Sequence, residues 1–267
     1  MRANFDPKGQ RESWLERHLN VFMRFTPDEF DREAMPLYLH TLVNDAVKCY
    51  FLGLADQVRP VLEGIIDWTE SHPEPGLHEY SAERHHWRHI WDSRFTWYQT
   101  LGLCKWLSRG DAAEAEFAKA IKAESDAREH ALKETIASDP GDEQAALTEH
   151  VATALAARNP AVGLKLLAAV GVAHASEPEA PVLEFSQWAC HHLASGGKQD
   201  AKFVERGAEM LQATLLPYFF WTANRVEPAL WLKAIYWDTG VARTPEQAIA
   251  KAYDSMPGIE RPDFVPG

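Results

Sequence analysis

The sequence predicts an all-α protein built from stacked antiparallel helix hairpins. The prediction rests on three observations: repeated helix-start signals, a scarcity of strand signals, and polar turns that recur along the chain. No long segment alternates apolar and polar residues, and no Asn-Gly or Asp-Gly pair joins two β-branched runs. A chain of 267 residues can bury a sizeable core, and we expect residues 1–267 to form a single domain.

Helix-start signals occur at both ends of the chain and in its middle. Thr26-Pro27-Asp28-Glu29 combines an N-cap threonine, a proline at the first helical position and a glutamate that closes a capping box. Thr244-Pro245-Glu246-Gln247 repeats this arrangement, and Asn159-Pro160 pairs an N-cap residue with an N1 proline. Each of these segments predicts the start of a helix.

Five short polar turns separate pairs of predicted helices. The turns are Leu54-Ala-Asp56, Ser108-Arg-Gly-Asp111, Ala157-Arg-Asn-Pro160, Ser195-Gly-Gly-Lys198 and Asp238-Thr-Gly240, and their last residues are 55, 49, 38 and 42 positions apart. This spacing is near the period of about 34 to 47 residues typical of helical-hairpin repeats. We expect N-terminal helices in 1–76, hairpin repeats in 77–254 and an irregular tail in 255–267. An irregular α-solenoid resembling tetratricopeptide repeats and a compact helical bundle both fit the spacing.

A long helix is predicted from about Ser81 to Leu107. Its second half, from Phe95 to Leu107, is apolar nearly all round, which is typical of a central buried helix. Its first half is rich in histidine and arginine and also contains Trp87 and Trp91. We therefore expect half of this helix in the core and half projecting from it.

The formal net charge of −12 argues against a nucleic-acid ligand, because phosphate binding needs a basic surface. Between Asp111 and His150 there are eleven acidic and four basic residues, a net charge of −7. This segment is either a solvated helix face with ordinary ion pairs or a docking surface for a basic protein. The second hypothesis gives a candidate partner-binding set, with the two tryptophans at its edge: Glu114, Glu116, Glu124, Asp126, Glu129, Trp87 and Trp91.

Cysteine content and hydropathy indicate the cellular compartment in which the protein is expected. Cys49, Cys104 and Cys190 are odd in number and far apart, as expected of reduced core thiols in a cytosolic protein. The first ten residues contain no apolar run of the kind found in signal peptides, and no stretch is apolar enough to span a bilayer. We expect a cytoplasmic protein without membrane contacts.

Two histidine-containing segments are candidates for chemistry. Glu83, His85, His86 and His89 would share a helix and include a Glu-x-x-His unit, but one helix cannot supply a complete metal site. Pairing of these residues with surface acids is the alternative. Cys190 with the adjacent His191 and His192 suggests a nucleophile, yet neighbouring helical residues point in different directions. We predict no catalytic residues, no metal site and no cofactor.

The C-terminal region is dense in aromatic residues, with Tyr218-Phe-Phe-Trp221, Trp231 and Tyr236-Trp237. Large rings fill wide gaps between helices or anchor interfaces. Core packing is the first interpretation, and an anchor patch is the second.

Several of these segments resemble the helix–turn–helix units of bacterial immunity proteins from polymorphic-toxin and type VI secretion systems, among which the helical family numbered forty-nine is most similar. The resemblance is carried by Trp87-Arg-His-Ile-Trp91 leading to Cys104–Ala115, by Ala189–Ala194 and by Glu227–Gly240. It implies a small cytoplasmic protein that binds a cognate secreted toxin and blocks it without catalysis. It implies no catalytic residues.

Three functions fit these observations. The first is an immunity protein that neutralises a toxin with a basic surface by occluding its active or substrate surface. The second is a tetratricopeptide-like adaptor that holds a peptide. The third is a metal-dependent helical enzyme that uses the histidine-rich segment.

Overall fold

The fold was described from a computed structural model, which covers residues 6–19, 23–27, 35–82, 87–133, 140–170, 180–214 and 226–266. Helix α1 (Pro7–Ser13) continues as one π-helical turn, Trp14–His18. Asp6 caps α1, because its carboxylate accepts from the backbone N–H groups of Lys8 and Gly9 at 3.1 and 3.0 Å.

Ten further helices in the described residues form five hairpins, so the all-α class is confirmed. The hairpins are α2 (Met35–Phe51) with α3 (Ala55–Ser71), α4 (Ser93–Arg109) with α5 (Glu114–Lys133), α6 (Pro140–Ala156) with α7 (Pro160–Val170), α8 (Ala180–Ala194) with α9 (Ala201–Ala213), and α10 (Glu227–Leu232) with α11 (Pro245–Ser255). Helix α10 continues as a π-helical segment, Lys233–Trp237.

All five predicted turns lie between the two helices of a hairpin, to within two residues. Two of the predicted start signals are also confirmed. Thr244 caps α11 by accepting from the Gln247 N–H at 3.2 Å, and Asn159 precedes α7, which begins at Pro160. The signal at Thr26–Glu29 lies partly outside the described residues.

The prediction of a helix over Ser81–Leu107 was wrong in its first half. An antiparallel hairpin, β1 (Leu77–Ala82) with β2 (Trp87–Asp92), precedes α4, which begins only at Ser93. Aromatic residues such as Tyr80, Trp87 and Trp91 favour strands, and β2 packs against α5. Ala82 pairs with Trp87 across residues 83–86, so a search for two-residue hairpin turns could not detect this hairpin.

The central position of α4 is confirmed, because nearly every side chain from Phe95 to Ser108 is buried or half-buried. A second buried helix is formed by α10 and its π-helical continuation, in which all residues from Glu227 to Tyr236 are buried. The buried apolar residues, from Trp14 to Val265, make one continuous core.

The last hairpin closes the stack against earlier ones. Helix α10 packs on α6, and α11 packs on α2, where the Tyr253 hydroxyl donates to the Phe51 carbonyl at 2.9 Å. In a solenoid each repeat contacts only its neighbours in sequence. The contacts between the first and last hairpins therefore favour the compact bundle over the open solenoid.

Candidate protein-binding surface

One face of α3 carries a row of carboxylates, which we call the acidic face: Asp56, Glu63, Asp67 and Glu70. These residues are seven, four and three positions apart. At about 100° per residue, they fall within about 60° of one another around the helix axis. The side chains of Asp56 and Asp67 are 94% and 79% exposed. The acidic face therefore presents its negative charge to solvent.

The other side of α3 explains this orientation. Val58, Leu62, Ile65 and Ile66 are fully buried against the core, at the spacing of a helix with one apolar stripe. Burial of this stripe fixes the rotation of α3 about its axis. The row of carboxylates must consequently point away from the core.

Bases from neighbouring elements neutralise only part of this charge. Arg109 on α4 donates to Glu63 through Nε at 3.0 Å and Nη2 at 2.6 Å, and Lys105 lies 2.7 Å from Glu70. The hydrogen bond from Arg109 lowers the pKa of Glu63, which keeps this carboxylate ionised. Asp67 lies 4.0 Å from Arg109, and Asp56 lies 3.7 Å from Arg59. Among the residues that the structure describes, the two most exposed acids thus have only long contacts to a base.

A cleft of about 520 Å³ opens at the N-terminal end of the acidic face. Its walls come from the α2–α3 turn, the start of α11 and the C-terminal segment. The lining residues are Tyr50, Gly53, Ala55, Asp56, Thr244, Glu246, Gln247, Asp263, Phe264 and Pro266. Gly53 has φ = 65°, and a Cβ atom there would collide with the Phe264 carbonyl oxygen. Glycine thus permits the close approach that forms one wall.

The five acids predicted as a binding set lie on α5, but they do not share one face. Around the helix they point in directions that span its whole circumference. Four have identified bases as partners: Glu114 with Arg158 (3.0 Å), Glu116 with Lys105 (2.8 Å), Glu124 with Arg128 (2.6 Å) and Asp126 with Lys122 (2.6 Å).

Among residues 114–129 of α5, whose side chains the structure describes, the solvent-exposed positions carry a balanced charge. They are Glu114, Ala115, Ala118, Lys119, Lys122, Ser125 and Glu129. Over these residues, the acidic surplus of segment 111–150 is therefore not a surplus on the exposed side of the helix. Contact of the five acids with a partner stays a prediction, but they cannot make it as a single acidic face.

Trp87 and Trp91 lie on β2, which packs against α5. In the hairpin register, Trp87 is opposite Ala82 and Trp91 is opposite His78. Arg94, in the first turn of α4, lies 3.9 Å from Asp126 on α5. The strand that carries the two tryptophan positions therefore packs against the helix that carries the predicted acids, and contact of these residues with a partner stays a prediction.

A second group of polar side chains, which we call the turn cluster, was not predicted as a group, and of its members only Glu114 was in the predicted binding set: Glu114, Arg158, Gln199, Lys233 and Asp238. Lys233 Nζ lies 2.8 Å from Asp238 Oδ1, and neither side chain is exposed. Arg158 connects this pair to the surface, because it contacts Asp238 at 3.4 Å, Glu114 at 3.0 Å and Gln199 at 2.6 Å. Four hairpin turns therefore meet through one polar network.

Burial controls the electrostatics of the turn cluster. It lowers the pKa of Lys233 and raises the pKa of Asp238, while their mutual attraction opposes both changes. The Lys233 ammonium also lies 4.9 Å from the Trp237 ring centre and 5.6 Å from that of Phe117. A charged residue inside the apolar run from Ala229 to Tyr236 was the available sequence signal.

The backbone near the turn cluster adopts unfavourable conformations. Ala113 and Arg158 have φ values of 52° and 55°, in the left-handed region that non-glycine residues rarely occupy. Both residues belong to turns that contribute to the cluster. Such conformations persist only where surrounding contacts determine them.

The metal candidates are only partly within the described residues. Glu83, His85 and His86 lie outside them, whereas His89 lies on β2. The prediction that these four residues share a helix was wrong at His89, because β2 is a strand. Among the described residues, no group of three His, Cys, Asp or Glu side chains is placed to hold a metal ion.

The cysteine and histidine side chains of α8 are arranged for packing. Burial raises the pKa of Cys190 to about 12, so its thiol stays protonated at neutral pH. The His192 ring stacks on Trp188 at 4.9 Å, and its Nε2 lies 2.8 Å from the Lys198 carbonyl oxygen. All three cysteines are buried free thiols, as predicted.

The aromatic C-terminal region is core where it is described. Trp231 and Tyr236 are buried, and the Trp231 ring packs edge-on against Phe185 at 5.5 Å. The Trp231 indole N–H also donates to Glu227 at 2.9 Å. Residues 218–221 lie outside the described part of the chain.

Comparison of the chain with family models, with curated protein sequences and with solved structures finds no match. Within the described ranges, none of the helices combines the length and the apolarity needed to cross a bilayer.

Proposed function

We propose that this chain is a non-catalytic binding protein, specifically a cytoplasmic immunity protein that neutralises a cognate secreted toxin. It acts by covering the active or substrate surface of the toxin. The observation that carries the proposal is the acidic face of α3, a row of four carboxylates of which Asp56, Asp67 and Glu70 are exposed, on a helix whose other side is buried in the core. The helical resemblance stated above supports the same class.

The acidic face suits a partner with a basic surface. Uncompensated negative charge on one side of a molecule attracts a basic partner over a Debye length and speeds its association. The partners of Asp56 and Asp67 within this chain are distant, so a partner's bases can approach these carboxylates without breaking a short ion pair. Complementary charge of this kind contributes to association rate and specificity.

The packing behind α3 keeps this surface in one conformation. Helix α3 lies against the buried α4, and the Arg59 guanidinium joins the α4 carbonyl of Ser108 to Glu246 of α11 at 2.7 and 2.8 Å. A preorganised surface loses little conformational entropy on binding. A folded protein partner is favoured over a peptide held in a solenoid groove, because the last hairpin closes the stack.

Co-expression with a toxin tests the proposal. The chain is produced together with the C-terminal domain of the protein that the neighbouring gene encodes, and growth and complex formation are measured. We expect the chain to restore growth and to co-elute with the toxin in size-exclusion chromatography. A chain that folds normally but neither restores growth nor binds the toxin would contradict the proposed function.

A matched pair of variants locates the surface. The first neutralises three exposed acids of α3 (Asp56→Asn, Asp67→Asn, Glu70→Gln), and the second neutralises three acids of α5 (Glu114→Gln, Asp126→Asn, Glu129→Gln). Both change the net charge equally, so a difference between them reports position and not total charge. Weaker protection by the α3 variant alone is the expected result.

A further inference from the structure

Helix α10 widens into one π-helical turn at Lys233–Trp237. In this turn the backbone N–H of Asp238 donates to the carbonyl of Lys233, five residues earlier, at 2.8 Å. An α-helix would bond the Lys233 carbonyl to the N–H of Trp237, four residues on, so the π turn holds one residue more. Such turns are rare and occur frequently at functional positions. The side chains around the segment should therefore show what favours it.

The buried ion pair of the turn cluster depends on the π turn. In an α-helix, residues five apart point about 140° away from each other, because each residue turns the helix by about 100°. Lys233 and Asp238 would then face different sides of α10. In the π turn, Asp238 follows Lys233 by one hydrogen-bonded turn, so both side chains leave the same side of the helix. Their Nζ and Oδ1 atoms lie 2.8 Å apart, with neither side chain exposed.

Side chains of the adjacent turns hydrogen-bond the carbonyl groups of the same segment. Gln199 donates through Nε2 to the Ala234 carbonyl at 3.2 Å. The Thr239 hydroxyl lies 2.8 Å from the Ile235 carbonyl oxygen and 3.1 Å from that of Tyr236. Carbonyl groups near the end of a helix lack partners within the helix. These donors therefore stabilise the segment in its present register.

The residues that follow the π turn lead to the contacts behind the acidic face. Helix α11 begins at Pro245, only seven positions after Asp238. Its Glu246 accepts from Arg59 of α3 at 2.8 Å, and the same guanidinium donates to the Ser108 carbonyl of α4 at 2.7 Å. A change of register in α10 would alter the length of the α10–α11 turn, while these contacts hold the far end of that turn in place.

We infer that the Lys233–Asp238 ion pair is a register lock, which holds α10 in the π turn and thereby fixes the length of the α10–α11 turn. Without the two charges, the segment reverts to the commoner α-helical hydrogen bonds, and one residue moves from the helix into the turn. The turn then rearranges between the turn cluster and the contact of Arg59 with Glu246. This inference goes beyond the proposed function and does not depend on a toxin partner.

Replacing both charged residues tests the lock without leaving a buried charge. In Lys233→Met with Asp238→Leu, NMR couplings across hydrogen bonds identify the amide that donates to the carbonyl of residue 233. We expect the amide of residue 238 in the wild type and the amide of residue 237 in the double variant. A double variant that keeps the donor at residue 238 would overturn the inference, because packing and the surrounding hydrogen bonds would then hold the register alone.

A milder variant keeps the test decisive if the double variant does not fold. Asp238→Asn retains the size of the side chain but removes its charge. We expect hydrogen exchange of the residue 238 amide to become about tenfold faster, the loss expected for a hydrogen bond to a charged group. The amide of Val151, buried on α6, is measured beside it. A general loss of stability speeds both amides, whereas release of the register changes the ratio of their rates.

A matched control comes from α11. Asp254 lies 3.6 Å from Arg261 near the surface, and Asp254→Asn removes the same charge from a hydrated pair. We expect this control to leave exchange at residue 238 within about twofold of the wild type. An unchanged ratio of the two exchange rates in Asp238→Asn would overturn the inference, and so would an equal increase in Asp254→Asn.

Discussion

The acidic face and the turn cluster each contain a pair of a basic and an acidic side chain, one at the surface and one buried. On the acidic face, Arg109 and Glu63 meet at the surface with side chains 37% and 36% exposed. In the turn cluster, Lys233 and Asp238 meet with neither side chain exposed. Water screens the first pair, so its charges contribute little to stability and remain accessible to a partner. Burial makes the second pair important for stability, because removing either partner leaves an uncompensated charge in the core.

The largest expected effect on stability concerns the buried pair, Lys233 and Asp238. Lys233→Met leaves the Asp238 carboxylate buried without its main counter-charge, so we expect a loss of about 3–5 kcal/mol in the free energy of unfolding. Chemical denaturation measures it. Lys122→Met on exposed α5 is the control and should change stability by less than about 0.5 kcal/mol.

A double variant sharpens the same test. Lys233→Met combined with Asp238→Leu removes both buried charges and should recover most of the lost stability, since apolar replacements of buried pairs are often neutral or stabilising. If Lys233→Met alone lies within about 1 kcal/mol of the wild type, the pair is not the structural element described here.

The backbone beside the turn cluster, at Ala113, gives a smaller effect of opposite sign. Ala113 has φ = 52°, a conformation that glycine adopts without a steric penalty. We expect Ala113→Gly to raise the melting temperature, with a gain of up to about 1 kcal/mol. Differential scanning calorimetry measures it. A clear loss of stability would show that packing of the Ala113 methyl group contributes more to stability than the unfavourable backbone conformation costs.

The exposed pair gives the smallest stability effect. Glu63→Gln should cost about 0.2–1 kcal/mol at neutral pH, because both partners are hydrated. The folded protein holds the pKa of Glu63 below its ordinary value, so this contribution is present above the ordinary pKa. It is lost as the pH falls through the lowered pKa. Wild type and variant, unfolded with denaturant at neutral and acidic pH, should therefore converge in acid, and a difference that grows in acid would contradict this origin.

The sequence predicted the hairpin order well because turn chemistry is local. The turns near Gly110 and Gly196 end their helices with a glycine at positive φ, a feature that neighbouring residues alone can indicate. The β1–β2 hairpin was missed because histidine and arginine between the tryptophans resembled a polar helix face. Strand preference there depends on packing against α5, which is not a local property.

The sites were harder to predict than the fold. Counting charge along segment 111–150 drew attention to α5, although partners from elsewhere, such as Lys105 and Arg158, pair with its acids. Placing the charged residues around each helix axis would have found the row of carboxylates on α3, since the spacing of these residues is visible in the sequence. Lys233 was visible in the sequence as a charge in an apolar run, but its partners were not, because Arg158 reaches Glu114 and Asp238 only when distant hairpins stack.

The association rate of the toxin with the two three-charge variants tests the acidic face most directly. Stopped-flow measurements at low and physiological ionic strength compare the α3 variant, the α5 variant and the wild type. We predict that the α3 variant associates about tenfold more slowly at low salt and loses most of its salt dependence, with the α5 variant within about twofold of the wild type. Equal rates for the α3 variant and the wild type, or a larger effect of the α5 variant, would contradict docking through α3.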